Sequence, residues 1–241
     1  MDAEQRQQLE SDGFIILKGL LSPGKIEQLI ARLDELWLLE GPRAGAENYL
    51  EKNAWRLANL PNKGDIFKRL FAHEAVLQAV AAVIGPDIRV SMMNARAVPP
   101  HSDPEQPLHV DTRKHGLPDA RGYYVCTVAW MLDKFTSDNG ATRLVPGTHR
   151  SRQLPKEAMD DPSRPHPDER VVVGGAGDAL VFNGHCWHAG GSNTTDHPRR
   201  AILVHYIRAD HPQELNQREA LSPQVQAGMS QREKELLGLD D

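Results

Sequence analysis

The sequence has little cysteine, no cluster of basic residues and no long apolar run. Its two cysteines among 241 residues, Cys126 and Cys186, are too few for a disulfide framework, so we expect two small buried thiols in a reducing compartment. Residues 1–10 are too polar for a signal peptide, and no apolar run approaches the length of a membrane span. We therefore predict a cytoplasmic protein without a membrane partner.

The net charge is also small, and charges of both signs are spread along the chain. Lys and Arg number 28 and Asp and Glu number 33, which gives a formal net charge of -5. A nucleic acid would need a concentrated positive surface, so we predict no nucleic-acid partner. Hydrophobic residues at 39% and charged residues at 25% are typical of a globular protein long enough to bury a core. Nothing in the sequence indicates an oligomeric state.

The first third of the chain has mainly helical patterns. Ser22 and Pro23 predict the start of a helix, because a capping side chain stands before a proline in the first turn. Apolar residues then recur at helical spacing until Gly41 and Pro42, which predict the end of this helix. The other elements predicted here are helices over 4–9 and 75–84, a short buried strand over 14–17, and an irregular segment over 42–64 that would cover a cavity.

From Asp87 onward the pattern changes to short strands. Apolar runs alternate with clusters of Gly, Pro, Asn and Asp, which is typical of a barrel or a sandwich. The predicted strands lie at 88–98, 123–132, 141–145, 171–173, 179–182 and 201–207. Helices first and strands afterwards predict an α+β fold with a mainly β core and the helices packed on one face.

We interpret residues 1–241 as a single domain with three parts. Residues 1–86 would be mostly helical support, and residues 87–210 would form the β core. The polar tail, residues 211–241, has one weak helical pattern at 231–237. We expect this tail to be a surface cap and not a second domain.

Two histidines and an aspartate form the strongest candidate site. His109 and Asp111 are two residues apart, and side chains at that spacing on an extended strand point to the same face. Two imidazoles and one carboxylate make the facial triad of non-haem Fe(II) oxygenases, which leaves iron positions open. The second imidazole belongs to His185 or His188, which would point to opposite faces of a strand. His-x-Asp alone is common, so the prediction depends on the joint pattern.

An anionic bidentate cosubstrate would complete such a site, and its far carboxylate would need a cation deeper in the cavity. Arginine suits this role best, because its planar fork pairs with a carboxylate through two hydrogen bonds. Arg199 and Arg200 follow the histidine pair, and they too would point to opposite faces of a strand. Either arginine is therefore a candidate.

From about residue 88 to 208 the sequence resembles the phytanoyl-CoA dioxygenase family of Fe(II)/2-oxoglutarate oxygenases. The matching motifs are His109-x-Asp111, Asn139-Gly140, Pro146-Gly-Thr-His149, Gly177-Asp178, His188 with Gly190, Gly191 and Asn193, and Arg199 eleven positions after His188. Residues 12–17 also resemble the opening of the family. The likeness therefore covers most of the chain.

The resemblance implies a fold and a set of ligands. The fold is a double-stranded β-helix, a jelly-roll or cupin-like barrel backed by helices. The resemblance implies that His109, Asp111 and His188 bind Fe(II) and that Arg199 holds the far carboxylate of 2-oxoglutarate. Related halogenases have a small residue in place of the carboxylate ligand, so Asp111 implies hydroxylation.

The implied reaction uses Fe(II), 2-oxoglutarate and O2. An unactivated C–H bond of a small-molecule substrate is hydroxylated, and 2-oxoglutarate is converted to succinate and CO2. In this interpretation His185 is a loop residue or a neighbour of the site, and Arg200 faces solvent or forms a salt bridge.

Several other residues are weaker candidates. Asn94 and Arg96, on the strand that leads to the site, are predicted substrate contacts, and Arg56 and Tyr124 are candidates for lining the cavity. Arg113 lies in a basic segment that would either meet an anionic substrate group or be a solvated loop. The remaining histidines are interpreted as ordinary surface, strand or structural residues: His101, His115, His149, His166, His197, His205 and His211.

Two other functions are compatible with the same residues. A cupin-like metal enzyme that does not use 2-oxoglutarate would share the barrel and the ligands, yet it would have no use for an arginine on the distal strand. A non-catalytic family member would be free to lose a ligand, whereas all three candidates are present.

Overall fold

The computed structural model describes residues 1–48, 50–102, 106–112 and 116–240. Within these residues, nine strands form the β core. In chain order they are β1 (Phe14–Leu17), β2 (Trp55–Leu57), β3 (Ile88–Val98), β4 (Val125–Met131), β5 (Thr142–Leu144), β6 (Arg170–Val171), β7 (Ala179–Asn183), β8 (His188–Gly190) and β9 (Arg199–Arg208).

The α-helices occur before the β core, in one loop within it and in the tail. They are α1 (Ala3–Asp12), α2 (Pro23–Glu40), α3 (Lys68–Phe71), α4 (Glu74–Ile84), α5 (Pro155–Ala158), α6 (Gln217–Ala220), α7 (Pro223–Ala227) and α8 (Gln231–Leu237). Short 3-10 helices span Gly41–Arg43, Leu60–Asn62, Asp65–Phe67 and Thr148–Arg150. Among the described residues, no helix combines the length and the apolarity that crossing a membrane requires.

The ends of α2 follow the predicted signals. The Ser22 side chain accepts a hydrogen bond from the backbone N–H of Lys25 (3.3 Å), and Pro23 occupies the first turn. Leu29 and Leu33 face the core and are fully buried. The helix ends at Gly41, whose φ of 53° lies in the left-handed region that glycine tolerates.

The strands form two antiparallel sheets. The larger sheet has the order β1-β7-β4-β9-β3-β2, and the smaller one has the order β6-β5-β8. Because side chains alternate along a strand, β4 contributes to two cores. Val128 and Trp130 pack on the helix side, whereas Ala129 and Met131 pack between the sheets with Leu144 of the smaller sheet. The smaller sheet therefore covers the inner face of the larger one.

This arrangement confirms the predicted α+β class, with a mainly β core and helices on one face. The strand β3 and the helix α8 have the predicted bounds, and the other predicted strands are found within two residues of theirs. Cys126 and Cys186 are buried free thiols, as predicted. The cytoplasmic location and the single-domain organisation stay predictions.

The prediction of an irregular segment over 42–64 was wrong in one part. This segment contains β2, which pairs with β3 and places Arg56 opposite Arg96. Three residues are too few to show the alternation by which a strand is recognised in a sequence. The strand β8 was missed for the same reason.

The tail is more structured than its single predicted helix. It contains α6, α7 and α8, and the side chain of the fully buried Gln217 donates to the carbonyl of Ser91 (3.2 Å). Leu236 and Leu237 of α8 belong to the helix-side core. The tail therefore packs against the larger sheet next to β3.

Gly177, in the turn before β7, provides a test of the fold. Its φ is 92°, and a Cβ at this position would lie 2.6 Å from the carbonyl oxygen of Leu21. Gly177→Ala should therefore lower the free energy of unfolding by roughly 1–3 kcal/mol. Gly24→Ala is the matched control, since a Cβ there meets nothing within 4 Å, and it should leave stability unchanged or slightly raised. Urea denaturation of both variants measures this; equal midpoints for the two would contradict it.

Candidate active site

Two backbone hydrogen bonds place His109 beside His188. The N–H of each residue donates to the carbonyl of the other, both at 3.0 Å, so the segment that carries His109 runs antiparallel to β8. The N–H of Asp111 donates to the carbonyl of Gly184 (2.8 Å). As a result one ligand atom each of His109, Asp111 and His188 lies within 4.8 Å of the others, a spacing that suits a single metal ion.

Each histidine of this triad is oriented by a second backbone contact. The Nδ1–H of His109 donates to the carbonyl of Pro107 (2.9 Å), and that of His188 donates to the carbonyl of Cys186 (2.9 Å). These bonds assign the proton to Nδ1, so that Nε2 of each ring is the free coordinating nitrogen. The two Nε2 atoms lie 3.9 Å (His109) and 3.3 Å (His188) from Oδ1 of Asp111.

The other carboxylate oxygen of Asp111 is held from below by the larger sheet. Thr127 of β4 donates its hydroxyl hydrogen to Oδ2 of Asp111 (2.6 Å). His205 of β9, which is opposite Thr127 in the sheet, has its Nδ1 3.8 Å from the same oxygen. Thr127 is buried, so this hydrogen bond fixes the carboxylate and leaves Oδ1 facing the two imidazoles.

The charges within the triad are strongly coupled. Burial by itself would raise the pKa of Asp111, but His188, through its charge and its hydrogen bond, together with the charges of His205 and His109, holds that pKa well below its usual range. Burial would lower the pKa of His188, and the Asp111 carboxylate outweighs it and raises that pKa. Desolvation and the charge of His188 lower the pKa of His109 to about 4. Without a metal, the triad is therefore an ionised carboxylate beside a neutral His109 and a His188 whose protonated form the carboxylate stabilises. A metal cation bound by all three side chains would take the place of that proton.

The triad opens into a cavity of about 270 Å³ between the two sheets. Cross-strand pairs of the larger sheet form successive rows on this face: Thr127 with His205 and Ala129 with Leu203 line the cavity, and the pair Met131 with Ala201 follows them. Arg199, at the start of β9, lies at the end of the cavity beyond these rows. The cavity therefore has the triad near one end, a guanidinium at the other and small apolar side chains between them.

Arg199 is a buried cation that has no ion pair with a carboxylate of the described residues. It is 3% exposed, its Nη2 donates to the carbonyl of Gly140, and its guanidinium carbon lies 4.5 Å from the centre of the Phe135 ring. Its Nε has no hydrogen-bond partner among the described residues. Burial and the nearby charge of Arg96 lower the pKa of Arg199 to about 9, which leaves it charged at neutral pH. Such a group favours an anion in the cavity.

Arg200 points away from the cavity, as expected because adjacent residues on a strand, here Arg199 and Arg200, point to opposite faces. Its Nε lies 3.0 Å from Oδ2 of Asp133 in a salt bridge. His185 is also outside the triad: its Nδ1 contacts the side-chain oxygen of Asn183 (3.0 Å), and its ring packs on Tyr124. His149, predicted to be structural, has its Nε2 3.1 Å from the carbonyl of Glu10. The structure therefore places His188 with His109 and Asp111 and places Arg199 on the cavity, whereas His185 and Arg200 lie outside both groups.

The predicted substrate contacts are placed differently from one another. Arg96 lines the cavity and forms a buried ion pair with Glu51 (2.7 Å). Asn94 is buried next to Arg56, and it is not among the described lining residues. When the Asn94 amide is turned by 180°, its oxygen accepts a hydrogen bond from Nη1 of Arg56 (3.1 Å). Arg113 lies outside the described residues.

Four residues of this site were missed at the level of the sequence. Thr127 and His205 support Asp111; His205, interpreted as an ordinary surface or strand histidine, does lie on a strand and also lines the cavity. A signal existed for it, since positions 199 and 205 of one strand must point to the same face. Glu51 accepts hydrogen bonds from both Arg96 (2.7 Å) and Gln106 (3.1 Å). Glu51 and Gln106 come from two irregular segments, for which periodicity predicts no orientation.

A second group of possible ligands lies on the surface at Asp119, Asp210 and His211. The guanidinium of Arg208 already occupies its centre, with Nε 2.7 Å from Oδ1 of Asp210 and a hydrogen bond from Nη2 to Asp119. This group is therefore an ion-pair cluster.

The sequence profile of the family described as phytanoyl-CoA dioxygenase (PhyH) matches residues 9–201. Among similar proteins, "Dioxygenase trt7" of Aspergillus terreus is 31% identical over 213 residues, which are 83% of this chain and 71% of the relative. Residues 9–201, which match the profile, span the positions of the triad and of Arg199.

Solved structures share the fold at lower identity. HygX from Streptomyces hygroscopicus, solved with nickel, 2-oxoglutarate and hygromycin B bound, superposes with a TM-score of 0.67 at 17% identity and covers 88% of this chain and 90% of its own. SnoK, described as a non-haem alpha ketoglutarate dependent carbocyclase from nogalamycin biosynthesis, has a TM-score of 0.68 at 19% identity and covers 87% and 85%. These likenesses confirm the predicted double-stranded β-helix.

The hydrogen bond from Thr127 to Asp111 can be tested by metal binding. Thr127→Val keeps the shape of the side chain but removes the donor, so the carboxylate loses its fixed orientation. We expect roughly 10- to 100-fold weaker binding of Mn²⁺, the usual range for the loss of a group that orients a ligand. Thr127→Ser keeps the hydroxyl and should stay close to the wild type. Calorimetric titration with Mn²⁺ measures both, and an unchanged affinity in the valine variant would show that the bond does not support the site.

Proposed function

The chain belongs to the phytanoyl-CoA dioxygenase family, and from that premise we propose that it hydroxylates an unactivated C–H bond of a small-molecule metabolite with Fe(II), 2-oxoglutarate and O2, releasing succinate and CO2. One observation carries the proposal. A carboxylate and two correctly oriented imidazoles lie near one end of a cavity, and Arg199, buried without a carboxylate partner among the described residues, lies at its other end.

The donor set fits Fe(II). His109 and His188 present Nε2, and Asp111 presents Oδ1, which together make the two-histidine, one-carboxylate face used by non-haem iron oxygenases. Three ligands on one face leave positions for a chelating cosubstrate and for oxygen. Thr127 and the two backbone carbonyls would hold the ligands in place before the metal arrives.

The cavity fits 2-oxoglutarate because its charge pattern is complementary. The chelating end of this dianion would face the metal, and the far carboxylate would receive hydrogen bonds from the guanidinium of Arg199. The free Nε of Arg199 would gain the acceptor that the described residues do not supply. The two uncharged rows between them, which include Ala129 and Leu203, leave room for the carbon chain.

Bound iron and 2-oxoglutarate supply the oxidising power of this reaction, and the residues of the chain supply position. Asp111 keeps the third ligand position filled by a carboxylate, which supports hydroxylation. An arginine placed to receive a dianion also distinguishes this proposal from a cupin-like enzyme that uses no 2-oxoglutarate, since such an enzyme would gain nothing from burying Arg199.

The neighbouring structures support a substrate class. HygX is described with hygromycin B bound, and SnoK is described as part of nogalamycin biosynthesis. We propose that this chain likewise acts on a small natural-product intermediate. Mass analysis of the product distinguishes hydroxylation, which adds one oxygen atom, from the ring formation that the name of SnoK describes.

Replacing each ligand tests the metal site. His109→Ala, Asp111→Ala and His188→Ala should each abolish metal binding and 2-oxoglutarate-dependent succinate formation, because two ligands do not hold the ion at this site. His197→Ala is the control, since His197 is exposed and lies outside the cavity. Anaerobic titration with Fe(II) measures metal binding, and a succinate assay measures turnover of 2-oxoglutarate. Succinate formation that persists in any of the three variants would contradict the assignment.

The adjacent arginines provide a matched pair for the cosubstrate. Arg199→Ala should raise the KM for 2-oxoglutarate by roughly 10- to 150-fold, which corresponds to the loss of about 1.5–3 kcal/mol for hydrogen bonds to a charged group. Mn²⁺ affinity should not change. Arg200→Ala removes the salt bridges to Asp133 and Asp34, which lie outside the cavity, and should leave this KM as it is. An unchanged KM in the Arg199→Ala variant would show that another residue binds the far carboxylate of 2-oxoglutarate.

A further inference from the structure

His205 lies where two cavities meet. The first is the cavity between the triad and Arg199, and the second, also of about 270 Å³, adjoins it and shares Asp111 and His205 with it. The imidazole of His205 lines both cavities although the residue is only 8% exposed. It stands opposite Thr127 in the sheet, at the level of Asp111. A molecule that contacts this imidazole from either cavity is therefore next to the metal ligands.

A chain of two hydrogen bonds determines which nitrogen of His205 carries the proton. A carboxylate that serves as a metal ligand is ionised and can only accept hydrogen bonds, so the hydroxyl hydrogen of Thr127 points at Oδ2 of Asp111 (2.6 Å). A hydroxyl has a single hydrogen, and the Thr127 oxygen can therefore only accept from Nδ1 of His205, which lies 3.3 Å away. In the neutral imidazole the proton is then on Nδ1, and Nε2 carries a lone pair.

The Nε2 atom of His205 has no protein partner. Among the described residues no donor forms a hydrogen bond with it, and it is not among the unsatisfied atoms that the fold closes off from solvent. On the β3 side His205 stands opposite Met92, whose sulfur already accepts a hydrogen bond from Nδ2 of Asn48. Acceptors on buried side chains are almost always satisfied. The lone pair of Nε2 therefore indicates a donor that comes from the cavities.

His205 is not a further metal ligand. The ligand atoms of His109, Asp111 and His188 lie within 4.8 Å of one another, and His205 does not belong to this group. Its Nδ1 faces Oδ2 of Asp111, whereas the two imidazoles of the triad face Oδ1. The Nε2 lone pair is therefore open to an organic ligand.

The direction of the two cavities assigns His205 to the substrate and not to the cosubstrate. The floor of the first cavity runs from His205 through Ala129 towards Arg199, which is the side proposed for 2-oxoglutarate. The second cavity extends in the other direction to the pair Val125 with Ile207. No lysine or arginine of the described residues lines it, so an anion would find no counter-charge there. An ammonium group would be repelled by a metal dication at the triad. A neutral group fits best.

We infer that His205 is a substrate-binding residue whose Nε2 accepts a hydrogen bond from a neutral O–H or N–H group of the substrate. The substrate is then a molecule that carries such a donor close to the C–H bond to be oxidised, such as an alcohol or a lactam. Its carbon skeleton extends into the second cavity along Val125 and Ile207. This inference rests on the proposed function for the role of the neighbouring metal site.

The first test concerns the tautomer of His205. Long-range proton–nitrogen NMR spectra of the full chain with isotopically labelled histidine, recorded at mildly alkaline pH, distinguish a protonated ring nitrogen from an unprotonated one. Spectra without metal and with Zn²⁺ and 2-oxoglutarate should both show a ring with protonated Nδ1 and unprotonated Nε2 that is missing from His205→Asn. A protonated Nε2 would overturn the inference, because this nitrogen could not then accept a hydrogen bond.

The second test measures the acceptor with small probes. Cyclohexanol and the lactam 2-piperidone each carry one neutral donor, whereas fluorocyclohexane has nearly the shape of cyclohexanol without it. In titrations of the chain loaded with Zn²⁺ and 2-oxoglutarate, at least one of the two donors should bind roughly 2- to 10-fold more tightly than fluorocyclohexane, the effect of one neutral hydrogen bond. The same donor should shift the Nε2 signal of His205. Equal affinities for all three probes, or no detectable binding of either donor, would overturn the inference.

Two substitutions of His205 separate substrate binding from support of the metal site. His205→Asn keeps a donor for Thr127 at the place of Nδ1 but has no acceptor at the place of Nε2. It should bind Mn²⁺ with nearly the affinity of the wild type and should lose the preference for the donor probe. His205→Gln can bring its amide oxygen to the place of Nε2 and should keep the preference.

The results from these variants have distinct meanings. A preference that survives in His205→Asn, or that is absent from His205→Gln, would overturn the inference. Loss of Mn²⁺ affinity together with the preference in His205→Asn would also overturn it, since His205 would then only support the metal site. Failure of the wild type to bind Mn²⁺ and 2-oxoglutarate would instead overturn the proposed function, and the tautomer of His205 would still be measurable in the metal-free chain.

Discussion

The pair of backbone hydrogen bonds between His109 and His188 is the contact on which the candidate site depends. It aligns an otherwise irregular segment with the short strand β8, and the two-residue period of extended backbone then brings Asp111 to the same side as His109. The backbone pairing therefore positions all three side chains of the triad together. The bonds hold the two imidazoles together from the backbone, while Thr127 holds the carboxylate from the opposite sheet.

Much of this could be predicted from the sequence where a regular period extends over enough residues. The long strand β3 and the helix α8 were predicted with the observed bounds, and the alternation along β9 already separates Arg199 from Arg200. The choice between His185 and His188 needed the family motif, because β8 has only three residues. Local periodicity predicted the strands that form the floor of the cavity, but it did not predict the three-residue strands β2 and β8.

The residues that were missed share a physical reason. Glu51 and Gln106 come from irregular segments, and Glu51 meets Arg96, 45 residues away, and Gln106, 55 residues away, through tertiary packing alone. Thr127 and His205 are on predicted strands, but their role depends on which residue of the neighbouring strand stands opposite, and register is a property of the whole sheet. A sequence read one segment at a time carries no information about it.

The buried arginines also show why one of them indicates function and another does not. Arg96 is desolvated, but the carboxylate of Glu51 lies 2.7 Å away and the two charges compensate each other within the protein. Arg199 is equally buried, and a carbonyl and an aromatic ring are its nearest described partners. Removing a cation from water without a counter-charge is costly. An anion that enters the cavity would supply the missing counter-charge and would stabilise the fold. The cavity between the triad and Arg199 is therefore suited to an anionic cosubstrate.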